Sequence, residues 1–83
     1  MKALVSPNDN VSYITSWSIN SEGESVPSYG ILDNANRIVQ LEETEFEVSL
    51  PMFWLECNTS VNLLEYYYDT AESVIKLIPN ATN

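Results

Sequence analysis

Between Val11 and Asn20 the chain alternates, with Val11, Tyr13, Thr15, Trp17 and Ile19 on one face and Ser12, Ser16, Ser18 and Asn20 mostly on the other. A period of two belongs to a half-buried β-strand and does not fit the 3.6-residue period of a helix. Ser21-Glu22-Gly23-Glu24-Ser25 then has turn composition, and Val26 to Leu32 resumes apolar character around Pro27 and Gly30, which predicts a long hairpin. A second turn is expected at Asp33-Asn34-Ala35-Asn36, whose residues tolerate left-handed backbone, followed by a short strand over Arg37 to Leu41.

Further along, Phe46, Val48 and Leu50 alternate with Glu45, Glu47 and Ser49, predicting another amphipathic strand bounded or placed at a sheet edge by Pro51. Met52 to Cys57 is densely apolar. Leu64 to Asp69 and Val74 to Ile78 flank Thr70-Ala71-Glu72-Ser73 and read as a C-terminal hairpin. A second reading of residues 60–76 stands beside it, because Val61, Leu64, Tyr68, Ala71 and Ile75 also fall at helical spacing with Ser60 as a cap. Three consecutive tyrosines and the Val74-Ile75 pair favour the pleated surface. The tail from Pro79 to Asn83 is expected to be loose. The fold class is therefore mostly β, a small single-domain antiparallel β sandwich or barrel built from hairpins.

With 83 residues the chain supports one modest core, covering about 60 to 65% of the surface of its unfolded form. A hydrophobic fraction of 45% with nine aromatic residues is that of a folded chain. The single Cys57 makes no intramolecular bridge, so a core this small invites support from a partner or from oligomerisation. Three basic residues, Lys2, Arg37 and Lys76, stand against twelve acidic ones, a net charge of −9 that repels phosphate backbones. No nucleic-acid partner is expected. The first residues reach Ser6-Pro7-Asn8-Asp9 before any stretch of signal length, and no run approaches the roughly 20 apolar residues of a spanning helix, so no membrane partner is expected either.

Candidate chemistry is sparse. Histidine is absent, which removes the usual base near neutral pH and the commonest metal ligand. Cys57 reads as a small apolar side chain beside Phe53 and Leu55. Asp69-Thr70-Ala71 resembles the Asp-Thr-Gly turn of aspartic proteases only superficially, since Ala71 replaces the glycine. Glu42, Glu43, Glu45, Glu47 and Glu56 could gather a hard cation, yet their spacing matches no calcium loop and a solvated strand face explains them. No catalytic, metal or cofactor-binding residue is assigned. The informative residues are apolar: Pro51-Met52-Phe53-Trp54-Leu55 and Tyr66-Tyr67-Tyr68 place large groups on both faces of a strand, so one face needs a cover beyond the core. Met, Trp and Tyr are enriched at protein interfaces, and Met52, Trp54, Tyr66 and Tyr67 are the expected contacts.

Phe46-Glu47-Val48, Phe53-Trp54-Leu55-Glu56-Cys57, Tyr67-Tyr68-Asp69-Thr70 and Ile75-Lys76-Leu77-Ile78-Pro79 follow in an order that resembles small uncharacterised proteins of tailed phages of marine cyanobacteria and their uncultured relatives. Ala3-Leu4-Val5-Ser6-Pro7 and Tyr13-Ile14 with Trp17 extend the likeness over most of the chain. The resemblance carries no catalytic residue. It implies a virion-associated structural protein, made in the host cytoplasm, whose partners are other capsid or tail proteins, with homo-oligomerisation as an option. A head decoration or cement subunit is the leading expectation and a tail or fibre accessory the next. An early effector that inhibits a host protein, with an acidic DNA mimic as one version of it, is the alternative from another class, and an enzyme is the weakest.

Overall fold

The computed structural model describes all 83 residues as seven strands and no helix. Five strands, β1 (Lys2–Ser6), β4 (Ala35–Glu42), β5 (Phe53–Glu56), β6 (Tyr66–Asp69) and β7 (Val74–Leu77), form one antiparallel sheet in the order β5-β1-β4-β6-β7. The remaining two, β2 (Ser12–Ile19) and β3 (Ser25–Ile31), pair only with each other. The antiparallel, hairpin-built β class follows from the sequence as expected, and residues 60–76 resolve to the β6–β7 hairpin rather than a helix.

The larger sheet curls into half a barrel. Strands β5 and β6 lie three strand spacings apart, roughly 14 Å in a flat sheet. Yet the Phe53 and Tyr68 rings meet edge to face with centroids 5.4 Å apart, so the sheet folds over its concave side. A bulge helps to drive the curl: the β1–β4 register shifts between Leu4 and Val5, and a bulge sharpens local twist.

β1 is the best-covered element and the one the sequence hid. Its apolar residues, Ala3, Leu4 and Val5, are consecutive rather than alternating, the signature of a strand covered on both faces. All three are buried, in a chain where only 10 of 83 residues are. The core divides between the two faces of the sheet. Ala3, Ile38 and Val61 gather Leu41, Cys57, Tyr66 and Ile75, whereas Val11, Ala35 and Tyr67 gather Leu32 and Ile78. Adjacent Tyr66 and Tyr67 thus serve opposite faces, as strand geometry requires.

The expected strand over Phe46 to Leu50 does not form; these residues are irregular, and Leu50 is 91% exposed. The topology explains why. β4 and β5 both run antiparallel to β1 on its two sides, and both finish beside Lys2, at Glu42 and Glu56. Residues 43–52 must therefore travel back along the length of β1, whose two edges are already taken by β4 and β5. There the Phe46 carbonyl accepts the Trp54 indole N–H at 2.8 Å, and the two rings stand edge to face at 5.0 Å.

The β2–β3 hairpin projects from the body. The molecule measures 49 × 22 × 21 Å, with a radius of gyration of 14.9 Å against about 12 Å for a compact chain of this length. The expectation of a half-buried β2 holds only in part: Tyr13, Ile14 and Trp17 are partly covered, whereas Ser18 and Ile19 are exposed because there is little beneath the outer end of the strand. The tip is firmly built, with Asn20 Oδ1 accepting the N–H groups of Glu22 and Glu24 at 2.9 Å each and Gly23 at φ 82°. The tail, expected to be loose, instead braces the base. Ala81 donates its N–H to the Ile14 carbonyl at 2.8 Å, Asn80 Oδ1 accepts the Ile14 N–H at 2.8 Å, and the Trp17 indole donates to the Ala81 carbonyl at 2.8 Å.

Two predictions follow from this distribution of burial. Ile38→Ala, at a residue 1% exposed, should cost about 2 to 5 kcal/mol in urea unfolding, a large part of the roughly 4 to 12 kcal/mol a chain this size holds, whereas Leu50→Ala should stay within about 0.5 kcal/mol. Trp17→Phe removes the indole N–H that donates to the Ala81 carbonyl of the tail, and amide exchange at Ala81 should quicken roughly two- to tenfold, with exchange at Ile38 unchanged.

Candidate functional site

Charge is distributed unevenly over the strands. β1, β4, β5, β6 and β7 each carry at least one charged residue, but the fifteen residues of β2 and β3 carry none. Exposed strands are commonly protected from stray pairing by charge, and here protection falls to the tail bonded along β2 at Ile14, to Pro27 within β3 and to Glu22 and Glu24 at the tip.

A bulge sets which side chains the hairpin presents. The β2–β3 register shifts between Ile14 and Ser16, with Thr15 the extra residue. One extra residue inverts the facing of everything beyond it. Ile14, Trp17 and Ile19 consequently share a face with their register neighbours Tyr29, Pro27 and, beyond them, Ile31, while Tyr13 lies opposite against Gly30. The uninterrupted alternation from Val11 to Ile19 expected from the sequence is corrected accordingly. On this apolar face Ile19 and Tyr29 are each 67% exposed and Ile31 is 60% exposed.

A second apolar surface lies where the half-barrel fails to close. Between β5 and β7, the two edge strands, runs a groove of about 350 Å³ whose apolar lining is Leu55, Cys57, Val61, Tyr66, Val74 and Ile75. Its one charged wall residue, Glu56, is paired with Lys2 at 2.8 Å, which holds the Glu56 carboxyl below its usual range. Lys2 also reaches Glu45 at 3.3 Å, so two of the five clustered glutamates share a cation. Burial pushes the Cys57 thiol up, keeping it protonated and apolar at neutral pH. A smaller cavity of about 190 Å³ is lined by Arg37, Leu63, Leu64 and Ile78 among others.

The four expected contact residues separate. Tyr66 lines both cavities. Trp54 and Met52 are partly covered beside the 43–52 crossing, with the Trp54 N–H already engaged. Tyr67 is only 7% exposed and belongs to the core, because the residue that faces inward on β6 alternates with its neighbours; it is withdrawn as a contact. The exposed residues that sequence reasoning passed over are Ile19, Tyr29 and Ile31. Their signal was the absence of charge across 10–21 and 25–32 in a chain otherwise rich in carboxylates.

Asp69 has a structural task that occupies both carboxylate oxygens. Oδ1 accepts the Ala71 and Glu72 N–H groups at 2.8 and 3.1 Å, and Oδ2 meets Lys76 at 3.0 Å. Lys76 also pairs with Glu72, and the turn places Ser73 at φ 57°. No three acidic or cysteine side chains converge in a metal-holding arrangement. Compared with known proteins, the chain matches no family model, no curated protein and no solved structure.

The Asp69 carboxyl is held below its ordinary range, foremost by Lys76 and then by the Ala71 N–H. A depressed carboxylate contributes stability above its unfolded value of about 3.9, and that contribution disappears as pH falls through the lower folded value. Asp69→Asn should therefore melt lower than wild type at pH 7, and the gap should narrow as the pH is taken below about 4.

Proposed function

We propose that this chain is a non-enzymatic structural subunit of a tailed-phage particle, a head decoration or cement protein that works by docking to other virion proteins. The observation that carries the docking part is the uncharged, apolar face of the projecting β2–β3 hairpin, with Ile19, Tyr29 and Ile31 each more than half exposed. Large apolar side chains gathered on one unpartnered face favour a protein contact over plain solvent exposure. The virion assignment rests on the sequence resemblance, which runs through the Phe-Trp segment of β5 and the Tyr-Tyr-Asp segment of β6.

The rest of the surface suits such a subunit. A net charge of −9 disfavours contact with packaged nucleic acid and keeps free copies apart before assembly. Tail or fibre accessory proteins would use the same docking in fewer copies. Mass spectrometry of purified particles, with copy number taken against the major capsid protein, separates these outcomes. The decoration reading expects tens to hundreds of copies per particle; a handful moves the assignment to the tail, and complete absence from particles overturns it in favour of a host-directed effector.

A further inference from the structure

The five-stranded sheet curls without closing, and its two edges are alike in direction. β4 and β5 both run antiparallel to β1, β6 reverses β4 and β7 reverses β6, so the edge strands β5 and β7 point the same way. A strand entering between them in the opposite direction is antiparallel to both. Hydrogen-bond phase decides which backbone groups await it. Cys57 donates its N–H to the Met1 carbonyl, which makes Cys57 and Leu55 the residues bonded to β1 and turns the N–H and C=O of Glu56 away from it. Ile78 likewise donates to the Glu65 carbonyl, so Val74 and Lys76 bond to β6 and the N–H and C=O of Ile75 turn to the free edge. Glu56 and Ile75 both line the groove of about 350 Å³.

We infer that the β5–β7 groove receives an extended segment of a basic partner protein, added as a strand antiparallel to both edges, in which apolar side chains alternate with Lys or Arg. This is a second docking surface, separate from the hairpin, and it does not depend on the particle assignment.

The pleat sets the alternation. Cys57 and Ile75 pack with Ala3 on the concave side, and Leu55 shares that face as the register partner of Ala3. Glu56 is the register partner of Lys2 and stands on the opposite face. An added strand follows the same pleat, so every second side chain enters the apolar cleft and the others stand on the outer face.

Charge sets what those outer side chains are. Beside β5, Glu45 and Glu56 share the single cation Lys2; beside β7, Asp69 and Glu72 share Lys76. Each side of the groove keeps one uncompensated negative charge, in a chain of net charge −9 that draws cationic partners in. The Glu56 and Glu72 side chains are 69% and 60% exposed, leaving carboxylate oxygens open to a further cation. The same charge disfavours a second copy as the occupant. Lys2, Arg37 and Lys76 are the only basic residues, each lies on a different strand, and no segment of the chain carries two of them.

The test uses the full chain and three end-blocked peptides of about eight residues, a length within the range of single strands. One alternates Val and Lys, one alternates Val and Glu, and one holds the Val and Lys residues in two separate blocks. Binding is followed by NMR shifts and amide exchange. The alternating Val-Lys peptide should bind with a dissociation constant below about 1 mM, slow exchange at the Glu56 and Ile75 amides at least about tenfold, and lose affinity as salt rises. Glu56→Gln and Glu72→Gln should each weaken it about two- to fivefold. The Val-Glu peptide should leave both amides unchanged. Equal protection by the Val-Glu or the block peptide, Gln variants that bind like wild type, shifts confined to the β2–β3 hairpin, or free exchange at both amides with the Val-Lys peptide present overturns the inference. Shifts at Glu56 and Ile75 that grow with the concentration of the protein alone give the groove to a second copy and overturn it too. Recovery of the protein in particles is unaffected by any of these results, so the two proposals fail separately.

Discussion

Everything in this molecule depends on β1 lying between β4 and β5. It bonds to a neighbour on each side, and its Ala3, Leu4 and Val5 are buried on both faces. Since so few residues are buried, the apolar contacts around this strand and Ile38 make up much of the core. The rest of the sheet is arranged to keep that strand covered: the bulge curls the sheet around its concave side, and residues 43–52 cross back along it before β5 can pair.

The same arrangement separates two jobs along the chain. The body holds the ion pairs, with Lys2 drawing Glu45 and Glu56 together beside β5 and Lys76 joining Asp69 and Glu72 at the β6–β7 turn. The two strands of the hairpin carry no charge and no fully buried residue. A two-stranded hairpin is at best marginally stable alone in water, and here the base is held by Asn80, Ala81 and the Trp17 indole. A surface that contributes little to the stability of its own chain is well placed to serve contact with another.

Much of this was legible from residue order. Ser21 to Ser25 and Thr70 to Ser73 have turn composition, and each joins the strands expected on its flanks. Asn34 takes the left-handed backbone that its turn composition suggested, at φ 54°. What was not legible depended on pairing. Ala3-Leu4-Val5 is too short and too uniform to declare a period, although it is the most buried strand. Phe46-Glu47-Val48 alternates but lies in the crossing from β4 to β5, where it forms no ladder and instead meets the Trp54 side chain. The Thr15 bulge inverts half of β2, a one-residue event that no alternation rule anticipates. Three tyrosines in a row announce that two faces are apolar, but only the strand order decides that Tyr66 borders the groove and Tyr67 the core.

The account divides the chain into a body organised by β1 and a hairpin held mainly at its base, and native-state hydrogen exchange tests that division most directly. Amides of β1 and β4 should exchange only through global unfolding, whereas those of β2 and β3 beyond Ile14 should exchange through a local opening far below the global free energy. Equal protection of Ser18, Val26 and Ile38, all moving together with denaturant, would contradict the account by showing that hairpin and sheet unfold as one unit.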